Sequence, residues 1–176
     1  SETAAFIGFK NFLRLFQDEV FLKSLAITLK YVLISVPLKL TFALLVAYLL
    51  TRPSRMVTFY RSLYYLPSLV GGSVAVALVW KQLFARKGLF NSVLANMGMS
   101  TINWFGNQKL ALYPLILMSV WQFGSSMIIF AAGLKEIPVS YYEAARIDGA
   151  RGYQSFFRIT LPCLSPIILY NLIMQT

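Results

Sequence analysis

Histidine is absent from these 176 residues, and Cys163 is the single cysteine. An internal disulfide is therefore impossible, and a Cys/His metal site lacks its ligands. Acids are scarce as well, with 6 Asp and Glu against 16 Lys and Arg. No G-x-x-x-x-G-K-[S/T] stretch occurs, so the chain holds no P-loop for ATP. With no His, and with no carboxylate inside the apolar runs, there is no nucleophile–base pair, which argues against an enzyme. The same gap removes the carboxylate relay or ring of charges that an ion-coupled carrier or channel needs. No cofactor is expected. A membrane scaffold that only recruits a soluble partner stays open on these grounds.

What the chain has is grease. Hydrophobic residues make up 58% and charged residues only 12%, with a mean hydropathy of +0.66. Soluble domains carry roughly 25% charged residues, so an all-α integral membrane protein is indicated. The net charge of +10 does not point to nucleic acid. The basic residues flank apolar runs, where they anchor helices at lipid headgroups, rather than gathering on one soluble face.

The apolar runs set the organisation. Phe6 to Phe21 is amphipathic, with Phe9, Phe12, Leu13, Phe16 and Val20 at helical spacing between charges, and predicts an interfacial helix. Residues 1–23 are assigned to that segment. A first span is expected over Leu25–Leu50, with Pro37 inside it as a kink. Thr51 to Arg61 is an Arg-rich turn, and a second span runs over Leu63–Leu83. Gly71, Gly72, Ser73, Ala75 and Ala77 in that span suit close helix approach. Phe84–Lys109 reads as a mixed polar loop with Trp104 and Phe105 at the interface. A third span covers Leu110–Leu134. A fourth apolar run begins near Leu161 and stops at Gln175–Thr176, short of the about 20 residues a span needs. A truncated span in a fragment of a longer protein is the expectation. Cys163, at the start of that run, reads as a small buried hydrophobe.

Between the third and fourth runs lies a polar stretch with its own punctuation. Ser140 and Glu143 match a capping box, and Gly149 suits the left-handed position after a helix end. Arg151 to Arg158 gives a further turn or two, and Pro162 sits in the first turn of the next helix. Ala144 and Ala145 leave a bare helix face, Tyr141 and Tyr142 offer contact area, and Glu143, Arg146 and Asp148 offer charge. The stretch reads either as a docking element or as a self-capped turn that touches nothing.

Two further features bear on a translocation path. Lys39 lies about 16 Å inside the first span at 1.5 Å per residue from Leu50, where an uncompensated charge costs at least ~3 kcal/mol. With no acid in any span, its partner must be a carbonyl, another subunit or a watery cavity. It either lines the path or is satisfied at a subunit interface. Ser119, Gln122 and Ser126 fall at i, i+3 and i+7 on one expected helix face. They suit hydroxyl-rich sugars, with Trp121 beside that face, or serve as polar glue between helices.

The residues EAARIDGA at 143–150, followed by Ile159-Thr160-Leu161-Pro162, resemble the EAA loop of permease subunits of bacterial binding-protein-dependent ABC importers. The stretches Phe59-Tyr60-Arg61 to Tyr65-Leu66-Pro67, Val76-Ala77-Leu78-Val79-Trp80 and Gly88-Leu89-Phe90-Asn91 are similar to the carbohydrate-uptake branch. So are Ser119-Val120-Trp121-Gln122 and Ala132-Gly133-Leu134 to Ile137-Pro138. The resemblance implies a type-1 permease bundle, here about four spans over 24–176, in a multi-pass protein of the bacterial inner membrane. It implies that 134–160 is a cytoplasmic coupling loop and that 84–109 faces outward. Tyr141, Glu143, Ala144, Ala145, Asp148 and Gly149 then engage a cytoplasmic ATP-binding subunit, with Glu143 paired to one of its basic groups. A second permease subunit, an extracytoplasmic substrate-binding protein and a sugar or oligosaccharide are the other implied partners. Glycerol-phosphate, amino-acid and peptide importers share the loop and are the alternatives.

Overall fold

The computed structural model describes residues 8–51 and 56–176, and among these there are helices and no strand. Part of the expected Arg-rich turn (52–55) and the first residues of the amphipathic segment lie outside the described residues. Helix α1 covers only Lys10–Leu15, shorter than the helix expected over Phe6–Phe21. Asp18 then starts a new helix, α2, as its Oδ1 accepts from Val20 N at 2.8 Å. Val20 and Phe21 thus belong to the first spanning helix.

Helix α2 runs from Glu19 to Leu49 and carries Pro37 without a break. Its 31 residues make it the one described helix long and apolar enough to cross a bilayer alone. Three bent pairs also qualify if each is one span, which gives up to four. The stripe Val36, Leu40, Ala43, Ala47 is buried against Phe123, Met127, Phe130, Ala131 and Leu134. Its i, i+4, i+7, i+11 spacing is that of two helices in long contact. The two alanines let the backbones come close.

The second and third spans are both broken, contrary to the continuous runs expected over Leu63–Leu83 and Leu110–Leu134. Helices α3 (Val57–Val70) and α4 (Val74–Leu83) meet at 99°. Gly71 and Gly72 interrupt the first, and Ser73 restarts the second by accepting from Val76 N at 3.3 Å, an N-cap in mid-run. Of the small residues there, Gly71 is packed, while Gly72, Ser73, Ala75 and Ala77 are exposed. Helices α6 (Leu112–Trp121) and α7 (Gly124–Glu136) meet at 43° around Gln122 and Phe123.

One side chain stitches the two breaks together. The Ser68 hydroxyl donates to the Gln122 carbonyl at 3.2 Å and accepts from Ser125 N at 3.1 Å. A side chain inserted into a helix ladder is a recognised cause of kinking, and here it satisfies the backbone groups that the kink frees. Gly124 permits the approach, since a Cβ there would strike the Tyr64 carbonyl and the Tyr65 backbone.

The 84–109 stretch is not merely a loop, because it holds α5 (Leu89–Asn96). Asn91, 1% exposed, organises it. Its Nδ2 donates to the Ala85 and Ile102 carbonyls at 3.1 and 2.9 Å, and its Oδ1 accepts from Ile102 N at 2.9 Å. Trp104 packs edge-on against Phe84, which stacks on Phe90 and Trp80.

Candidate functional site

The polar stretch folds as α8 (Val139–Ile147), a loop, and a second helix that begins where the turns over Arg151 to Arg158 are expected. The capping box at Ser140 and Glu143 does not form. Pro138 confines Ile137 to extended backbone and itself takes the cap position. Val139 is therefore already helical, and Ser140 lies inside the first turn. At the other end Gly149 has φ +75°, as its position after Ile147-Asp148 requires. Its N–H donates to the Arg146 carbonyl at 3.0 Å, and Ala150 N donates to Ala145 O at 2.8 Å. This crossed pair is a Schellman motif.

The second helix starts at Gly152 and runs on without a gap into the segment at Leu161, where a separate span was expected to begin. Gln154 Oε1 accepts from Arg151 N at 2.7 Å and closes its first turn. Helix α9 (Gly152–Ser155) passes into a π-helical turn at Phe156–Thr160, then α10 (Leu161–Cys163) and α11 (Ser165–Gln175), with a 64° bend between the last two. Thr160 is buried in the π turn, and its Oγ1 lies 2.9 Å from the Tyr142 hydroxyl. Tyr142 is therefore an internal strut rather than free contact area. The Tyr48 ring meets Phe156 edge-on, so the end of α2 also touches this turn.

The residues expected to meet an ATP-binding subunit fall into two sets. Tyr141, Glu143, Ala144 and Asp148 are exposed, whereas Ala145 is turned inward at 9% exposure. A shallow groove of about 420 Å³ is lined by Tyr141, Ala144, Ala145, Asp148, Arg158 and Cys163, among others. Cys163 is exposed, not buried as expected, because the π turn rotates α10 and presents it on this groove. Asp148 stands at the C-terminal end of α8, where the helix dipole disfavours an acid.

The four residues singled out for a translocation path also separate. The break at Gln122 undoes the common face expected for Ser119, Gln122 and Ser126. Ser119 and Gln122 line a cavity of about 350 Å³ together with Thr28, Tyr31 and Met118. The Gln122 amide donates to the Gly71 carbonyl at 3.4 Å. Ser126, fully buried, instead accepts from Gln175 Nε2 at 3.2 Å, and Gln175 Oε1 accepts from Lys39 Nζ at 2.8 Å. Lys39, 8% exposed, thus finds its partner in a neutral amide of the same chain. Trp121 and Trp80, 5.8 Å apart, share a second groove of about 500 Å³ with Phe42, Tyr64 and Phe123.

Sequence reasoning missed Gln175, Ser68, Thr28 and Tyr31. A glutamine near the end of an apolar run was a visible signal. The other three are ordinary residues whose role depends on a distant break.

A family model described as binding-protein-dependent transport system inner membrane component matches residues 21–176. The probable ABC transporter permease protein YesP of Bacillus subtilis (strain 168) is 53% identical over 172 residues, which is 97% of this chain and 56% of that protein. The lactose transport system permease protein LacF of Rhizobium radiobacter is 34% identical over 175 residues, covering 97% of this chain and 58% of that one. The crystal structure of a bacterial ABC transporter involved in import of the acidic polysaccharide alginate superposes with a TM-score of 0.81 at 26% identity. That match covers 98% of this chain and 62% of the other. The chain thus spans 56–62% of the length of these relatives. With its broken spans arranged as in a type-1 permease, it belongs to the family of binding-protein-dependent transport system inner membrane components.

Proposed function

We propose that the chain forms part of a permease subunit in an ATP-driven sugar importer. Helix α8 is its coupling helix, and it docks in a cleft of a cytoplasmic ATP-binding subunit. One observation carries this reading. Helix α8 is fixed at its end by the Schellman motif and fixed to the π turn through Tyr142 and Thr160. It nonetheless leaves Tyr141, Glu143, Ala144 and Asp148 exposed beside a groove. A self-capped turn with no partner has no need of an acid at the unfavourable end of a helix dipole. Glu143 and Asp148 supply charge for basic groups of the ATPase, Ala144 allows close approach, and Tyr141 provides a rigid amphipathic contact.

Force then has a short route upward. The π turn touches Tyr48 of α2, and α2 packs along α6 and α7. Motion of α8 is thereby delivered to the two linked breaks at Gly71 and Gln122. In this reading residues 134–160 are cytoplasmic and 84–109 face an extracytoplasmic substrate-binding protein. A second permease subunit completes the pathway.

The relatives and the lining support the substrate class. LacF is named for lactose transport and the solved neighbour for alginate. The Ser119–Gln122–Tyr31 cavity offers hydroxyl, amide and aromatic groups of the kind a sugar uses, and the tryptophan groove offers further aromatic surface. Lys39 and Ser126 form a polar layer deeper in the bundle and bound that path. Reconstitution of the full-length permease with its partner subunits tests the proposal. Uptake of a labelled oligosaccharide should require both ATP and the ATPase subunit. Uptake without nucleotide would remove it.

A further inference from the structure

On a different face from the coupling groove, α3 and α7 enclose a groove of about 220 Å³ lined by Arg61, Ile128, Ala131, Ala132 and Lys135. We propose that this groove holds the phosphate of an anionic phospholipid, with an acyl chain lying along α7. The apolar run of α2 ends at Leu50, and that of α7 at Leu134, one residue before Lys135. Arg61 Nη2 donates to the Leu50 carbonyl at 3.1 Å, so Arg61 and Lys135 sit at the same membrane boundary. Lysine and arginine at such a boundary reach headgroups.

The two cations are underused. A guanidinium carries five N–H donors, yet among the described residues Arg61 makes only the bond to Leu50, and its buried Nε has no hydrogen-bond partner there. Lys135 makes no hydrogen bond or ion pair among the described residues. Among the described residues no acid lines the groove, and Glu136, next to Lys135, is not part of its lining. A planar fork with free donors beside an ammonium suits the bidentate capture of a phosphate.

The rest of the groove says which phosphate. From Lys135 the lining continues along α7 through Ala132 and Ala131 to Ile128. These positions form one stripe at i, i+3, i+4 and i+7, about 10 Å long at 1.5 Å per residue. Ile128 and Ala132 are exposed in the chain. Two alanines cut a channel, and an isoleucine closes its far end. A free phosphate uses the cations and leaves this channel empty; a phospholipid fills both.

The test uses the full-length permease assembled with its partner subunits in nanodiscs of equimolar phosphatidylglycerol and phosphatidylcholine. Native mass spectrometry counts the lipids retained after mild delipidation. A basic residue near an anionic lipid surface contributes about fivefold in binding. Lys135→Gln should lower phosphatidylglycerol retention about fivefold and leave phosphatidylcholine unchanged. Ala132→Phe should lower it without altering charge, and Lys109→Gln, outside the groove, should lower it less than Lys135→Gln. Lys135 is exposed and makes no hydrogen bond among the described residues, so its replacement leaves their packing intact. Unchanged phosphatidylglycerol in both groove variants overturns the proposal. Displacement of the lipid by inorganic phosphate alone also overturns it, in favour of a soluble anion. So does a crosslink from position 132 to a partner subunit that fills the groove.

Discussion

Replacing Gly149 by alanine isolates one backbone conformation from everything around it. Gly149 has φ +75°, and a Cβ added there meets nothing within 4 Å. The substitution therefore introduces no clash, only the local cost of a left-handed L-residue, about 1–2 kcal/mol. That cost falls on the Schellman pair that fixes the end of α8. A shift of this size changes the population of the closed turn by about 5–30-fold. Gly149→Asn should cost less, because asparagine tolerates this region. Gly152 is the internal control, since it also has open space around it but lacks a positive φ. In the assembled transporter, ATP hydrolysis stimulated by the loaded binding protein should fall at least about fivefold for Gly149→Ala. The drop should be smaller for Gly149→Asn and absent for Gly152→Ala. Equal activity in the two alanine variants would refute the reasoning that the turn positions α8.

Three other perturbations probe the bundle. Gly124→Ala places a methyl against the Tyr64 and Tyr65 backbone. It should destabilise the packing of α3 on α7 by about 1–3 kcal/mol, seen as lower thermal stability in detergent. Asn91→Leu removes three hydrogen bonds and strands the Ile102 N–H. Proteolysis of the 85–103 segment should rise, with about 1–3 kcal/mol lost for each buried group left unpaired. Lys39→Met and Gln122→Leu should each lower transport while leaving assembly and basal ATP hydrolysis intact. Loss of assembly instead would mark these residues as structural glue.

Much of the architecture was legible in the residues because bilayer thickness constrains it strongly. The positions of the four apolar runs, the polar stretch between the last two, and the left-handed Gly149 all follow from length, hydropathy and glycine chemistry. The two breaks were legible only in part. Gly71-Gly72-Ser73 carries a stop and a restart, but in an apolar run it also reads as a close-packing patch. The kink at Gln122 depends on Ser68, which is 54 residues away and unremarkable in sequence. Likewise Lys39 announced itself by its cost, whereas Gln175, 136 residues distant, was known as its partner only from the fold. The failed capping box shows local competition: Ser140 and Glu143 have the right spacing, but Pro138 claims the cap first. The π turn at Phe156–Thr160 left no pattern that a 3.6-residue period reveals, and it is what turns Cys163 outward.

The central claim is that α8 docks on an ATP-binding subunit, and site-directed crosslinking measures it most directly. Cys163 must first be replaced by serine, because its exposed thiol borders the same groove. A cysteine at position 144, in the permease assembled with its ATPase, should then crosslink to the nucleotide-binding subunit, with a yield that changes between nucleotide-free and ATP-bound states. Labelling of position 144 from the extracytoplasmic side, or no crosslink in either state, would contradict the account.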